Sequence, residues 1–304
     1  MITLTTVADV RAACDAARAR GARVGFVPTM GFFHEGHRSL MRAARSDTDL
    51  VVVSLFVNPT QFAPTEDLAA YPRDPVGDAA VAETEGVDVL FVPDVAAMYP
   101  AGACTTVHVN SLTDGLCGAT RAGHFDGVTT IVAKLFSIVG PCRAYFGRKD
   151  AQQLAVIRRM TTDLDVPVEV VGCPLVREVD GLAMSSRNAY LDAEERAAAT
   201  VLAGSLYLAS EAVVGGQRDA AAIRRLIAET VGRSPLVCLE YAEVVDAATL
   251  VPVDRLTGDT LVALAARVGK ARLIDNVTIT FPEGVATPDL GVHTAPSGMQ
   301  EAAH

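Results

Sequence analysis

The fold of the first half of this chain is decided by one stretch, Val24-Gly25-Phe26-Val27-Pro28-Thr29-Met30-Gly31-Phe32-Phe33-His34-Glu35-Gly36-His37. It begins as a short, continuously apolar run and continues, from Arg38 to Ala44, in a pattern typical of a helix. A strand that leads through a loop into a helix is the unit from which parallel sheets are built. The stretch therefore predicts one strand and its following helix in an α/β fold.

Four further apolar runs follow the same rhythm. They lie at Leu50 to Val57, Val87 to Val92, Ala144 to Phe146 and Val168 to Val171, with helix-like stretches near 37–45, 76–86, 126–139 and 150–163. Continuous apolar strands separated by helices are typical of a parallel sheet that is covered on both faces. We therefore predict a Rossmann-like parallel sheet with helices on both faces, and ligands at the carboxyl ends of its strands.

The pattern changes after about residue 177. Asp192, with Glu195 three positions later, has the sequence of a capping box, and Gly215-Gly216 ends the helix that the box begins. Further elements are predicted at 218–232 (a helix) and at Cys238 to Val245 and Leu261 to Val268 (strands). These elements predict a smaller C-terminal α+β domain. The predicted boundaries are 1–176 for the first domain, 177–284 for the second and 285–304 for a loose tail.

Composition narrows the class of function. The 304 residues include 26 Lys plus Arg against 36 Asp plus Glu, a formal charge of −10. This balance argues against binding to nucleic acid or to a membrane surface, because phosphates attract basic faces. The N-terminus does not resemble a signal peptide. The sequence has no uninterrupted run of about 18 apolar residues, so it does not predict a membrane-spanning helix. The six cysteines are scattered without a Cys-x-x-Cys pair, which argues against a disulfide framework or a zinc site. We therefore expect a cytoplasmic protein.

His34 and His37 lie at the predicted start of a helix. Residues three apart in a helix lie on one face, and a helix N-terminus offers free N–H groups and partial positive charge to a phosphate. Gly36 lies between them and leaves room for a nucleotide near the backbone. The same pair also fits two capping histidines, or part of a zinc site that would need at least a third ligand.

Polar residues follow two other predicted strands. Asn58 and Gln61 carry amides that can hold a hydroxyl or a carboxylate, although Asn58 before a proline also fits a simple turn. Lys149 can neutralise a phosphate, and Asp150 can cap a helix or hold Mg²⁺, although the two also fit an exposed ion pair. Gln153, on the first turn of the next helix, fits either a ligand-binding residue or a helix surface.

A polar, positively charged loop, Met184-Ser185-Ser186-Arg187, precedes the capped helix. Its two hydroxyls and guanidinium suit a developing pyrophosphate, although a plain linker would read similarly.

Together these motifs resemble one family. The string from Pro28 to His37 is similar to the His-x-Gly-His signature of the nucleotidyltransferase superfamily, which includes class I aminoacyl-tRNA synthetases, in the form typical of pantothenate synthetases. Further blocks resemble the same family, in the family's order, from about residue 24 to 191. They are Val57 to Phe62 with Glu66 to Leu68 and Tyr71 to Arg73, then Phe146 to Gln153, and then Val176 to Asn188.

The resemblance implies an ATP-dependent ligase, a homodimer, that condenses pantoate with β-alanine through pantoyl adenylate. It implies catalytic roles for His34, His37 and Lys149. It implies ATP contacts at Pro28, Met30, Gly31, His34, Gly36, His37, Gly147, Lys149, Asp150, Val176, Met184, Ser185, Ser186 and Arg187. It implies pantoate or β-alanine contacts at Gln61, Gln153, Asn58, Arg121 and His124, and Mg²⁺ contacts at Asp78 and Asp150.

The chain departs from the family pattern at a few positions. Arg148 stands where Glu is usual, Phe32-Phe33 replaces a smaller pair, and Ala151 replaces a common aromatic residue. Two other functions stay open, an adenylyltransferase of the same superfamily and a non-catalytic nucleotide sensor. The adenylyltransferase does not predict the glutamine pair Gln61 and Gln153. RNA binding is disfavoured by the acidic balance.

Overall fold

The computed structural model describes residues 1–64 and 66–294. The chain forms two compact units, Met1–Cys173 and a second unit that begins at Pro174. The boundary between the units lies three residues before the one predicted after residue 176. Of the tail predicted at 285–304, residues 295–304 lie outside the described part of the chain.

The first unit alternates strands with helices. Its strands are β1 (Ile2–Leu4), β2 (Val24–Thr29), β3 (Leu50–Leu55), β4 (Val89–Phe91), β5 (Cys142–Gly147) and β6 (Val168–Cys173). Its helices are α1 (Val7–Ala19), α2 (Glu35–Asp47), α3 (Pro75–Thr84), α4 (Val95–Met98), α5 (Cys117–Thr120), α6 (His124–Val139) and α7 (Ala151–Asp163). Every element predicted for this half is present, and β1, α1, α4 and α5 are additional.

The six strands form one parallel sheet in the order β1-β4-β3-β2-β5-β6. Strand β2 lies between β3, which directly follows it in the chain, and β5, which comes much later. The direction of winding therefore reverses between β2 and β5. At such a switch point, the carboxyl ends of two neighbouring strands leave a crevice in which ligands bind.

Both faces of this sheet are buried. Val27 and Val53 belong to an apolar cluster that includes Met41 of α2. Successive strand side chains point to opposite faces, so the fully buried Phe26 and Val52 face the other side. Helices α1 and α7 each pack against α6, which contacts β2. The predicted parallel sheet with helices on both faces is confirmed.

The second unit is built around an antiparallel sheet. Its elements are β7 (Val176–Arg177), α8 (Ala193–Val214), α9 (Ala220–Val231), β8 (Val237–Asp246), β9 (Thr260–Val268), β10 (Ala271–Thr280), β11 (Thr287–Asp289) and β12 (Val292–His293). Four strands pair in the order β11-β10-β9-β8, and β12 pairs with β7 in a separate two-stranded sheet. Helices α8 and α9 pack on each other and on the larger sheet. The predicted C-terminal α+β domain is confirmed.

Helix α8 begins at the predicted capping box of Asp192 and Glu195, and its C-cap is Gly215. By length and composition, this helix is long and apolar enough to cross a membrane. However, its side chains include Leu202 and Leu206, which lie fully buried in the core of the second unit. The apolar character of α8 is thus that of a core helix.

Two features of the second unit differ from the prediction. Strand β10 is additional: alternate residues along it, from Ala271 to Ile279, are buried, but Ile274 and Asp275 interrupt the apolar alternation in the sequence. The loose tail predicted from residue 285 is wrong for Thr287–Asp289 and Val292–His293, which are strands. Strand β11 pairs with β10, and β12 pairs with β7, which lies far away in the chain. Because these partners define the two strands, no local periodicity marks them.

Candidate active site

Several predicted site residues of the first unit follow the carboxyl ends of three parallel strands. Strand β2 leads into His34 and His37, β3 into Asn58 and Gln61, and β5 into Lys149. Because the strands are parallel and adjacent, these ends lie at one edge of the sheet. The switch point between β2 and β5, described above, lies at this edge.

His34 and His37 form a capping box at the start of α2. Nδ1 of His34 accepts a hydrogen bond from the backbone N–H of Gly36 (3.1 Å), and Nδ1 of His37 accepts one from the N–H of His34 (3.3 Å). The two ring centroids are 4.2 Å apart. Capping boxes ordinarily use Ser or Thr with Glu or Gln, so two imidazoles here take the roles of hydroxyl and carboxylate. The interpretation as capping histidines is therefore correct, and it leaves one edge of each ring unused by the helix.

These hydrogen bonds also determine the protonation pattern of the rings. Because each Nδ1 accepts an N–H, the proton of each neutral ring lies on Nε2. Burial and then the charge of Lys149 lower the pKa of His34 to about 4. Burial and then the neighbouring His34 lower the pKa of His37 well below its ordinary value. Both imidazoles are thus neutral near pH 7, and each presents an Nε2–H donor.

Asp78 fixes the loop that leads into this box. Gly31 and Phe32 have positive φ angles of 88° and 53°. The buried carboxylate of Asp78 accepts hydrogen bonds from the N–H of Phe32 (2.8 Å) and of Phe33 (2.6 Å). Burial raises the pKa of Asp78 despite these two donors. The geometry supports a role in shaping the loop, and the magnesium contact of Asp78 stays a prediction.

Lys149 and Asp150 lie in a short 3-10 turn between β5 and α7. Nζ of Lys149 is 4.0 Å from the carboxylate of Asp150. The charge of Lys149 lowers the pKa of both His34 and His37, and the charge of Asp150 raises that of His37. These four groups therefore lie within electrostatic reach of one another. The structure thus places the two imidazoles near the lysine, and the catalytic roles of the three residues stay predictions.

Gln61 lies buried beside the loop of the histidine motif. Its Nε2 donates to Sδ of Met30 (3.0 Å), and its Oε1 accepts from Nδ2 of Asn58 (3.1 Å). Asn58 also donates to the carbonyl of Gly127, and its Oδ1 accepts from two hydroxyl groups. All hydrogen-bonding positions of the Asn58 amide are therefore filled by the protein. The geometry supports a role for Asn58 in orienting Gln61, and its direct contact with pantoate stays a prediction.

Arg121 and His124 hold the backbone of the same glutamine. Nδ1 of His124 donates to the carbonyl of Gln61 (2.8 Å), and its Nε2 accepts from Arg121 (2.9 Å). Arg121 also binds both carboxylate oxygens of Glu66, at 2.6 and 2.7 Å. Burial and then the charge of Arg121 lower the pKa of His124 to about 4. The contacts support positioning of Gln61, while substrate contacts of Arg121 and His124 stay predictions.

Two adjacent glutamines at the start of α7 differ in their surroundings. Gln152 is buried, and its amide binds the N–H of Cys117 and the carbonyls of Leu112 and Gly115 at 2.8 to 3.0 Å. Gln153, the predicted pantoate ligand, is only half-buried. The first amide thus holds the loop before α5, and the second keeps access to solvent.

The predicted phosphate loop, Met184–Arg187, belongs to the second unit. The N–H of Met184 donates to the carbonyl of Val176 in β7 (2.9 Å). Oγ of Ser185 accepts from the N–H of Arg187 (3.3 Å) and caps a 3-10 turn over Ser186–Tyr190. Val176, another predicted ATP contact, is therefore the backbone partner of this loop.

Comparison with known proteins identifies the family. Residues 2–278 match the Pantoate-beta-alanine ligase family. The chain belongs to this family. The pantothenate synthetase of Heliobacterium modesticaldum is 59% identical over 259 residues, which cover 85% of this chain and 92% of that relative. The pantothenate synthetase of Moorella thermoacetica is 52% identical over 279 residues, which cover 92% of this chain and 99% of that relative.

Solved structures agree with this assignment to the ligase family. A pantothenate synthetase from Thermus thermophilus is 48% identical, with a TM-score of 0.87, over 91% of this chain and 98% of that chain. The pantoate-beta-alanine ligase of Francisella tularensis, complexed with beta-gamma ATP and beta-alanine, is 31% identical, with a TM-score of 0.74, over 91% of this chain and 97% of that chain. The predicted resemblance is confirmed, and the chain is a ligase enzyme of pantothenate biosynthesis.

Two residues of this ligase, Glu66 and Gln152, have positioning roles that were not predicted from the sequence. Glu66 lies in a block that carried the resemblance, and its negative charge was a signal for a basic partner such as Arg121. Gln152 shares the buried face of α7 with Val156, four residues later. Gln153 also lies three and four residues before the buried Val156 and Ile157, so the spacing alone does not separate the two glutamines. Only the folded structure shows that Gln152 faces the interior.

Proposed function

We propose that this ligase joins pantoate to β-alanine in two steps, through pantoyl adenylate, with release of pyrophosphate and then AMP. The observation that carries the proposal is the pair of neutral imidazoles, His34 and His37, beside Lys149 at the switch point of the sheet. Together they supply two N–H donors and one positive charge at a helix N-terminus. This is a suitable environment for a triphosphate.

In the first step, a carboxylate oxygen of pantoate attacks the α-phosphorus of ATP. The bond from this phosphorus to the oxygen that bridges to the β-phosphate breaks, and pyrophosphate leaves. His34, His37 and Lys149 neutralise the charge that accumulates on the leaving group. Such a displacement depends on positioning and charge more than on covalent catalysis. A bound triphosphate raises the pKa of the rings, which makes His37 a candidate proton donor to the leaving oxygen.

In the second step, the amine of β-alanine attacks the acyl carbon of the adenylate. The bond from this carbon to the AMP oxygen breaks, AMP leaves with the electron pair, and the nitrogen loses a proton. A free carboxylate would have to expel oxide, which is a poor leaving group. Adenylation removes this obstacle, so no covalent intermediate with the enzyme is needed.

The amides beside the histidine motif support an acid as the first acceptor. Gln61 is held on three sides, by Asn58, by Met30 and through its carbonyl by His124. An amide that is oriented in this way can bind the hydroxyl or carboxylate of pantoate with little loss of entropy. The ligands of the Francisella tularensis relative support ATP and β-alanine as the other two substrates.

The residues of this site fit a magnesium ion that is bound partly by the phosphates of the substrate. Among residues 1–64 and 66–294, no three His, Cys, Asp or Glu side chains are grouped to hold a metal, which also argues against zinc on His34 and His37. Magnesium commonly binds one or two carboxylates together with substrate phosphates, and the side chain of Asp150 is 49% exposed. Asp150 would hold the ion, which would neutralise phosphate charge. The homodimer and the cytoplasmic location stay predictions.

The first step is tested by isotope exchange between pyrophosphate and ATP. We expect exchange that requires pantoate, and AMP release that requires β-alanine. Lys149→Ala should reduce the exchange roughly 100-fold, because one preorganised charge is lost. Lys270→Ala, which removes an exposed lysine from the second unit, is the matched control and should leave the exchange unchanged.

Other products would identify the alternatives. A stable dinucleotide would contradict the ligase mechanism and favour an adenylyltransferase. ATP binding without any exchange would favour a sensor. A gel shift with RNA that survives moderate salt would revive the RNA-binding hypothesis.

A further inference from the structure

The C-terminal segment Asp289–Thr294, called the strap here, lies beyond residues 2–278, which match the ligase family. Within the second unit its strand β12 pairs in parallel with β7. The N–H of Val292 donates to the carbonyl of Leu175, and the N–H of Thr294 donates to that of Arg177, both at 2.8 Å. The strap therefore occupies one edge of β7.

The other edge of β7 carries the loop that contains the predicted ATP contacts. Arg177 forms an antiparallel bridge with Ala183, and the carbonyl of Val176 accepts from Met184. The chain turns between these segments at Gly181, which has a φ of 94°. Strand β7 is thus the central strand of a small three-stranded ribbon, with the strap on one side and the start of the loop on the other.

Side chains connect the two edges of this ribbon. The buried guanidinium of Arg177 donates to the carbonyl of Leu290 (2.6 Å), to that of Gly181 (3.0 Å) and to the carboxylate of Asp275 (2.7 Å). His293 adds contacts to the hydroxyl of Tyr207 and to the carbonyl of Glu178, each at 3.2 Å. One arginine therefore ties the strap directly to the turn that precedes the loop.

We propose that the strap is a positioning element for the loop Met184–Arg187 and thereby lowers the KM for ATP. A two-stranded ribbon is only marginally stable, and a third strand gives its central strand a partner on each edge. A loop that is ordered before ATP binds loses less conformational entropy on binding. The inference rests on the proposed function for the role of the loop, but not for the contacts of the strap.

The test uses two glycines that share a backbone conformation, one inside the strap and one before it. Gly291 and Gly284 have φ angles of 79° and 82°. A Cβ at Gly291 would overlap the carbonyl oxygen of Leu175, whereas a Cβ at Gly284 would meet nothing within 4 Å. Gly291→Ala should therefore push the strap away from β7, and Gly284→Ala carries the same backbone strain without that overlap.

Two measurements on the full chain read the result. Hydrogen exchange of amides in residues 176–187 should be about tenfold faster in Gly291→Ala than in Gly284→Ala, with equal exchange in β8 and β9. The KM for ATP in the pantoate-dependent exchange should rise about threefold to tenfold, with kcat nearly unchanged. If Gly291→Ala does not fold, Val292→Pro is used in its place, because proline has no N–H to donate to Leu175 and its ring disfavours pairing at this edge of β7.

Several outcomes would overturn the inference. It fails if the amides of residues 176–187 show the same rate of hydrogen exchange in the two alanine variants. It also fails if faster exchange there leaves the KM for ATP unchanged while the wild-type enzyme is active. A wild-type protein without pantoate-dependent isotope exchange between pyrophosphate and ATP would instead refute the proposed function. The hydrogen-exchange data would still decide whether the strap orders the loop.

Discussion

Helices α2 and α8 begin with the same capping device, built from different residues. At α8, Asp192 accepts from the N–H of Glu195 (2.9 Å), and Glu195 accepts from the N–H of Asp192 (3.1 Å). At α2, His34 and His37 occupy the corresponding positions. Each box satisfies helix N–H groups that would otherwise have no partner.

The difference between the boxes lies in charge and in what the capping groups leave over. Carboxylates complement the positive end of the helix dipole, but they would repel a phosphate. A neutral imidazole uses Nδ1 for the cap and keeps an Nε2–H donor for a ligand. A cap of carboxylates therefore serves folding alone, whereas a cap of imidazoles can serve folding and anion binding together.

The strongest test transfers the box of α8 to α2. The double variant His34→Asp with His37→Glu should keep α2 capped, so the free energy of unfolding should change little. The pantoate-dependent exchange between pyrophosphate and ATP should fall roughly 1000-fold or more, because two donors become two negative charges. Exchange within about tenfold of wild type would show that the imidazoles are not needed for binding.

A second test concerns the loop before α2, which depends on an outside anchor. Asp78→Asn removes the charge that accepts hydrogen bonds from Phe32 and Phe33. We expect the free energy of unfolding to fall by about 1.5–3 kcal/mol, measured by urea denaturation, and the exchange to weaken with it. Glu83→Gln, an exposed acid-to-amide change on the same helix, should affect neither. Equal effects of the two variants would remove the anchoring role.

The third test is the pH dependence of stability. The pKa of His34 and of His124 is lowered to about 4, while in the unfolded chain it is near 6.5. The unfolded chain therefore binds protons first, so stability is complete above about pH 6.5 and is lost as the pH falls toward 4. Since both rings keep some exposure, we expect about 1–2 kcal/mol from each.

Urea midpoints between pH 4 and pH 7.5 measure this loss. In the double variant His34→Gln with His124→Gln, the glutamine amides can still form hydrogen bonds, but these two positions no longer titrate. Its midpoint should therefore depend less on pH than that of the wild-type chain. A wild-type midpoint that stays constant from pH 6.5 to pH 4.5 would contradict the lowered pKa values.

The smallest effect is expected at α8. Asp192→Ala removes an exposed capping carboxylate and should lower the free energy of unfolding by about 1 kcal/mol. The exchange between pyrophosphate and ATP should stay at the wild-type rate. A loss of exchange comparable to that of the α2 double variant would erase the functional distinction between the two boxes.

The parts of the fold that were predictable from the sequence have local patterns. Strand β2 and helix α2 show a change of period within a few residues, and α8 is bounded by Asp192 with Glu195 and by Gly215. Strands β11 and β12 have no such pattern, because their partners are other segments of the second unit. For the same reason, the hydrogen-bonding role of Asn58 was not predictable, because its partners Gly127 and Tyr99 are distant in the chain.

The sequence by itself determined the α/β class, the family and the residue types that can bind a phosphate, because these depend on periodicity and on motifs of a few neighbouring residues. Only the tertiary structure decided that His34 and His37 point Nδ1 into their own helix, that Asp78 fixes the loop before it, and that Gln152 and not Gln153 is buried. Hydrogen-bond direction and burial depend on groups that folding brings together from distant positions, so the order of residues along the chain does not specify them.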